Sequence, residues 1–162
     1  MDDFSEFYAA QFHPLTTQLL AYTGDLATAQ DLVQEAFSRA VPRWNRLRSY
    51  DDPAAWVRRV AFNLAKSGWR RQRLSRRQRA RDGDQEEYAP GPSPDRVALI
   101  RALSTLPDNH RRVVVLHYLA DMTITDIAAM ENTPPGTVKS WLHRGRTALA
   151  TALTDPKEAR NV

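Results

Sequence analysis

The sequence predicts an all-α chain: two small helical domains joined by a flexible acidic linker, the second containing a helix-turn-helix. Three observations lead there. Apolar residues recur at intervals of three and four in segment after segment, which lines one face of a helix. No strand-like alternation of useful length appears. One stretch, DGDQEEYAPGPSPD (82–95), lacks periodicity and carries three prolines and two glycines, the composition of an extended tether. The expected division is 1–81, linker 82–95, 96–154, and a tail 155–162.

In the first helix Phe4, Tyr8, Phe12, Leu15, Leu19 and Tyr22 share a face, and Thr23-Gly24-Asp25 breaks the pattern. Asp25 is the expected N-cap of a second helix. Its stripe is Leu26, Ala29, Leu32, Val33, Ala36, Phe37 and Ala40; Asp31, Gln34, Glu35 and Ser38 face away. Pro42 ends it, and a short loop through Leu47 and Tyr50 is expected to lead to Asp51-Asp52-Pro53. An acidic cap followed by proline is a helix start. The third helix is expected to bury Trp56, Val57, Val60, Ala61 and Leu64. Arg59, Asn63, Lys66, Arg70 and Arg73 lie on its other face, with Phe62 and Trp69 at the margin.

Past the linker the period returns with Val97, Ile100 and Leu103, breaks at Leu106-Pro107-Asp108, and resumes through Val113, Val114, Leu116, His117 and Leu119. The segment MTITDIAAMENTPPGTVKSWLHRGRTALATAL (122–153) then reads as a helix-turn-helix. Thr123 or Thr125 caps a short helix carrying Ile124, Ile127, Ala128 and Met130. Glu131-Asn132-Thr133 is a tight turn, with Asn132 where positive φ is needed. Pro134 or Pro135 opens a second helix with Val138, Leu142 and Leu149 inward and Lys139, Ser140, His143 and Arg144 outward. In such motifs the second helix offers side chains to base edges in the major groove. Arg146 is placed for a phosphate.

Composition excludes several classes. The apolar content of 42% supports packed cores, but no apolar run approaches the roughly 18–20 residues that cross a bilayer. The start, MDDFSEFYAA, is unlike a secretory signal. With no cysteine there is neither disulfide nor thiolate metal site. His13, His110, His117 and His143 are scattered, and there is no glycine-rich phosphate loop. No catalytic residue, metal or cofactor is therefore expected, no membrane is expected as a partner, and the expected location is cytoplasmic.

Net charge is +4, unevenly spread: −4 over residues 1–57, +10 over 58–81, −5 over 82–95 and +3 over 96–162. The run VRRVAFNLAKSGWRRQRLSRRQRAR (57–81) holds ten Lys or Arg and no acid, with Phe62 and Trp69 among them. Concentrated positive charge calls for a polyanion. Rings beside it suit separated strands, since a base stacked on an aromatic side chain is worth roughly 1–3 kcal/mol, comparable to the cost of unstacking it.

In this order the parts resemble bacterial RNA polymerase sigma factors of the extracytoplasmic-function class, closest to actinobacterial SigE-like members. DLVQEAFSRA (31–40) is similar to region 2.2, PAAWVRRVAFNLAKSGWRRQR (53–73) to regions 2.3 and 2.4, and LPDNHRRVVVLHYLADMTITDIAAMENTPPGTVKSWLHRGRTAL (106–149) to region 4. The resemblance implies a non-catalytic subunit that binds core RNA polymerase, recognises the minus-thirty-five and minus-ten elements of promoter DNA, and traps the melted strand. It implies that Asp31, Gln34, Glu35 and Arg39 dock on the clamp helices of the largest polymerase subunit, and that the second domain meets the flap region of the second-largest. Asn63 would contact an unstacked minus-ten base, and Arg59, Lys66, Arg70 and Arg71 would follow the backbone. Trp69 is a stacking candidate or a cover for the domain core. Trp56 matches a structural aromatic, and residues 48–52 match a base-capturing loop. Lys139, Ser140, His143 and Arg144 match positions that meet the minus-thirty-five duplex, and Thr137 and Arg146 match phosphate contacts. The chain departs from the family at Trp141, where Arg is usual, and at Asn132, where the turn usually has Gly. Whether an anti-sigma factor restrains the chain stays open. The rival reading is a conventional helix-turn-helix regulator with a helical effector or dimerisation domain, which would pair protomers on a palindrome.

Overall fold

The α1 helix, Asp3–Thr23, turns Leu15, Leu19 and Tyr22 inward, and burying those side chains offsets an interior proline, Pro14. This is a computed structural model, which describes residues 3–67 and 93–154. Every regular element among the described residues is helical, and the chain divides into two units, Met1–Gly91 and Pro92–Val162.

In the first unit α1 stops at Gly24, whose φ of 74° suits a residue without Cβ. The Asp25 carboxylate then accepts from the Thr28 N–H at 3.1 Å and starts α2, Leu26–Ala40. The expected stripe is buried from Ala29 to Ala40. Phe37 anchors a ring cluster with Phe4, Phe7 and Tyr8, and Trp44 closes it against Phe4 and Phe7 at 5.3 and 4.9 Å.

The short loop expected after Pro42 is instead a 3₁₀ turn, Val41–Arg43, and a one-turn helix α3, Trp44–Leu47. Proline removes an N–H from the α-helical ladder but fits the start of a tighter turn. That turn carries Trp44 onto the ring cluster and buries Leu47. The Asp52 carboxylate accepts from the Ala55 N–H at 3.2 Å and opens α4, Pro53–Lys66. Val57, Ala61 and Leu64 are buried as expected, whereas Trp56 and Val60 are half-buried. Phe62, expected at the margin, is fully buried, with its ring 5.6 Å from that of Tyr22. Ala61, Phe62 and Ala65 widen the apolar face because both α1 and α2 pack on this helix.

In the second unit Ser93 caps α5, Pro94–Ser104, by accepting from the Arg96 N–H at 3.3 Å. The helix therefore starts inside the stretch assigned to the linker, because Ser93-Pro94 is itself a cap followed by a first-turn proline. The α6 helix, Asp108–Tyr118, buries Arg112 and Val113 through Leu116. Leu119, placed on the inward stripe by the sequence, is the residue after the helix and is exposed. Thr123, not Thr125, caps α7, Ile124–Glu131, accepting from the Asp126 N–H at 3.1 Å. Asn132 has φ 50° and ψ 48°, and the Thr133 N–H returns to the Ala128 carbonyl at 3.0 Å. Pro135 begins α8, Pro135–Thr154, which buries Val138, Leu142 and Gly145; Leu149 is half-buried.

At Gly145 α8 lies close against α6. A Cβ built there would lie 2.6 Å from the Val114 Cγ2 and 3.4 Å from the His110 carbonyl oxygen. Gly145→Val is expected to destabilise the second unit by about 1–3 kcal/mol through overpacking, read as a lower thermal midpoint. Adding Val114→Ala to the same chain should recover part of the loss, and an unchanged midpoint in Gly145→Val would contradict this packing.

Candidate nucleic-acid interface

The α4 helix separates its two faces. Val57, Ala61 and Leu64 lie in the core of the first unit, while Arg59, Asn63 and Lys66, spaced four and three residues apart, are exposed on the other side. Asp52 fixes where this helix starts, and the Ser67 N–H caps its end by donating to the Asn63 carbonyl at 3.2 Å, leaving the Asn63 side-chain amide on the surface. Two positive groups flanking one amide can hold phosphates while the amide offers a donor and an acceptor to a base. Trp69, Arg70, Arg71 and Arg73 lie outside the described residues. Of the two rings expected among the charges, Phe62 belongs to the core. Trp56 keeps one side open, with the Arg43 guanidinium 5.8 Å from its ring centre.

The α7–turn–α8 unit places Lys139, Ser140, His143 and Arg144 together on the exposed face of α8, opposite Val138 and Leu142. Arg146 is exposed along the flank, and Thr137, in the first turn of α8, is half-buried. Trp141 is half-buried at the edge of the face, where it supplies no positive charge. Asn132 takes the left-handed conformation that its turn requires, so the second helix departs as a helix-turn-helix needs. An exposed helical face with two or more cations and short polar side chains can address both phosphates and base edges of a duplex.

The polar face of α2 also turns outward. Gln34 and Arg39 are exposed, and Asp31 and Glu35 are partly covered. The Arg39 Nε meets the Glu35 Oε1 at 3.0 Å, an i,i+4 pair on a solvated surface. Among the described residues there is no group of three or more His, Asp or Glu that could hold a metal ion, and no helix is long and apolar enough to cross a membrane.

Sequence reasoning passed over three residues that shape this interface. Arg112 and Glu131 form a buried ion pair between α6 and the end of α7, Nε to Oε1 at 2.5 Å. Arg112 stands four residues before Leu116, in phase with the inward stripe, and a cation in that phase is the signal that could have exposed it. Gly145 gave no such signal, because only the approach of α6 makes a side chain impossible there.

Two helical units, one displaying a basic helix face and the other a helix-turn-helix, define a two-domain nucleic-acid-binding protein. Residues 9–75 match the Sigma-70 region 2 family, and residues 96–149 match Sigma-70, region 4. The chain is 30% identical to the RNA polymerase sigma-E factor of Streptomyces coelicolor, covering 93% of this chain and 86% of that one. It is 29% identical to the ECF RNA polymerase sigma factor SigW of Bacillus subtilis, covering 94% and 88%. Against a probable RNA polymerase sigma factor RfaY of Xanthomonas campestris, 31% identical, it spans 37% of that protein's length. The fold is similar to that of the sigma factor RpoE, solved with the anti-sigma factor NepR from Bartonella quintana, with a TM-score of 0.75 at 22% identity over 96% of this chain and 99% of that one. The chain belongs to the sigma-70 family of RNA polymerase sigma factors, in its extracytoplasmic-function group. It acts with core RNA polymerase on promoter DNA as an initiation factor that directs promoter-specific initiation.

Proposed function

We propose that the two exposed basic faces divide promoter recognition between them. Lys139, Ser140, His143 and Arg144 on α8 read the minus-thirty-five duplex, with Thr137 and Arg146 on its phosphates. Arg59, Asn63 and Lys66 on α4, together with Trp69, Arg70 and Arg71 later in the sequence, hold the melted minus-ten strand. Gln34 and Arg39 on α2, flanked by Asp31 and Glu35, dock on the clamp helices of the largest polymerase subunit, and the second unit meets the flap of the second-largest. The chain works in the cytoplasm, where the polymerase is. A solved structural neighbour carries an anti-sigma factor, and a protein of that kind competing for the polymerase-binding faces is a fitting regulator.

One observation carries this reading: Asn63 stands exposed between Arg59 and Lys66 on a helix that buries Val57, Ala61, Phe62 and Leu64 in the core. Binding energy then drives strand separation without nucleotide hydrolysis. Phosphate contacts bind paired and separated strands alike, whereas an amide that hydrogen-bonds a splayed base favours only the open state. Run-off transcription with purified core polymerase tests the whole: the chain should confer promoter-dependent initiation. Dimeric binding to a palindrome without such initiation would instead mark a conventional regulator.

Two substitutions separate the faces. Asn63→Ala should reduce promoter opening, read by permanganate reactivity of unpaired thymines, several-fold more than it reduces initial binding to duplex; equal loss in both would contradict the assignment. Lys139→Ala should weaken binding to the upstream element by about 1–3 kcal/mol and relax its sequence preference, read by titration against matched and scrambled duplex. Retention on core polymerase in a pull-down should not change.

A further inference from the structure

We propose that the buried Arg112–Glu131 ion pair is the device that aims α8, so that it sets sequence discrimination rather than DNA affinity. This rests on the reading that α8 addresses the bases of the upstream duplex.

The pair is almost wholly removed from solvent: the Arg112 side chain is 1% exposed and that of Glu131 4%, with Nε and Oε1 2.5 Å apart. It reaches across 19 residues of sequence, from α6 to the last residue of α7. Immediately beyond lie the left-handed Asn132 and the first residue of α8, Pro135. The Thr133 hydroxyl donates to the Glu131 carbonyl at 3.0 Å, so Glu131 is held by its side chain on α6 and by its backbone in the turn. A buried ion pair is a poor source of net stability, since removing two charges from water costs much of what their attraction returns, and apolar replacements of similar volume are commonly tolerated. Unlike an apolar contact, it does depend steeply on distance and direction. Its effect is to forbid α7 from sliding or rocking on α6.

The turn converts that restriction into aim. Nine residues separate Pro135 from Arg144, about 14 Å along the helix at 1.5 Å per residue. A rotation of roughly 10° at the turn would therefore displace Arg144 by about 2 Å. Hydrogen bonds to base edges need donor–acceptor distances near 2.7–3.2 Å, so such a shift breaks them. Counterion release by Arg146 tolerates it, because neutralising phosphates needs proximity more than register. Gly145 fixes how close α8 lies to α6, while the ion pair fixes the direction from which α8 enters.

The experiment uses the full chain assembled with core polymerase. Wild-type holoenzyme first selects its preferred upstream duplex from a random pool. Binding to that duplex and to a scrambled one is then measured for wild type, for Glu131→Gln, and for the double variant Arg112→Met/Glu131→Leu, which fills the site with apolar side chains. The double variant should remain helical and bind scrambled duplex within about two-fold of wild type, yet lose at least ten-fold of its preference for the selected one. Glu131→Gln, which keeps an oxygen acceptor for Arg112, should fall between the two. A folded double variant with undiminished preference overturns the proposal. So does a double variant that does not fold, because the pair would then be a requirement of folding rather than of aim. A wild-type holoenzyme that selects no duplex removes the reading of α8 itself, and this inference with it.

Discussion

The architecture of the second unit depends on how closely α8 lies against α6. At Gly145 only a hydrogen fits between the helices, and Val138 and Leu142 seal the same face. With that side spent on packing, the orientation of every other side chain on α8 follows from the 3.6-residue period. Lys139, Ser140, His143 and Arg144 are thereby presented as a set. None of them needs a partner within the unit to hold its direction, since the helix backbone supplies it. A helix face of this kind gains its order from apolar contacts on its far side, and its polar groups stay exposed.

The first unit solves the same problem with different means. Its core is closed by rings, with Phe4, Phe7, Tyr8 and Trp44 gathered round Phe37 at one end and Phe62 against Tyr22 at the other. Large rings bury much apolar area per residue, which matters where, among the described residues, the core is built by three longer helices and one short one. Their use leaves α4 free to carry Arg59, Asn63 and Lys66 outward. Phe62 changes the meaning of the basic stretch accordingly. Its ring stabilises the platform from which the cations project and makes no contact with a base, so any stacking surface must come from elsewhere on this unit.

What was legible in the sequence was local chemistry. Asp25, Asp52 and Thr123 cap helices as their side chains dictate, each accepting from an N–H three residues on. Asn132 takes positive φ where the turn demanded it. The inward stripes of α2 and α8 and the outward rows of cations also follow from periodicity alone. What was illegible depended on neighbours distant in the chain. Phe62 is core because α1 supplies Tyr22, 40 residues away in sequence. Trp44 needed the rings of α1 to make a helical turn out of an expected loop. Leu119 sits in phase with the buried stripe, yet α6 ends one residue earlier and the stripe has no further turn to serve. Of the candidate site, the faces were readable and the means of holding them was not.

That division has a physical cause. Faces are encoded residue by residue, so a change at the exposed Ser140 or His143 alters the surface without disturbing the core. Holding elements are encoded in pairs: the buried contact needs both Arg112 and Glu131, and a change at either one alters it. The fold separates the exposed side chains of α8, which can be replaced one at a time, from the buried contact at its entrance, which depends on two residues together.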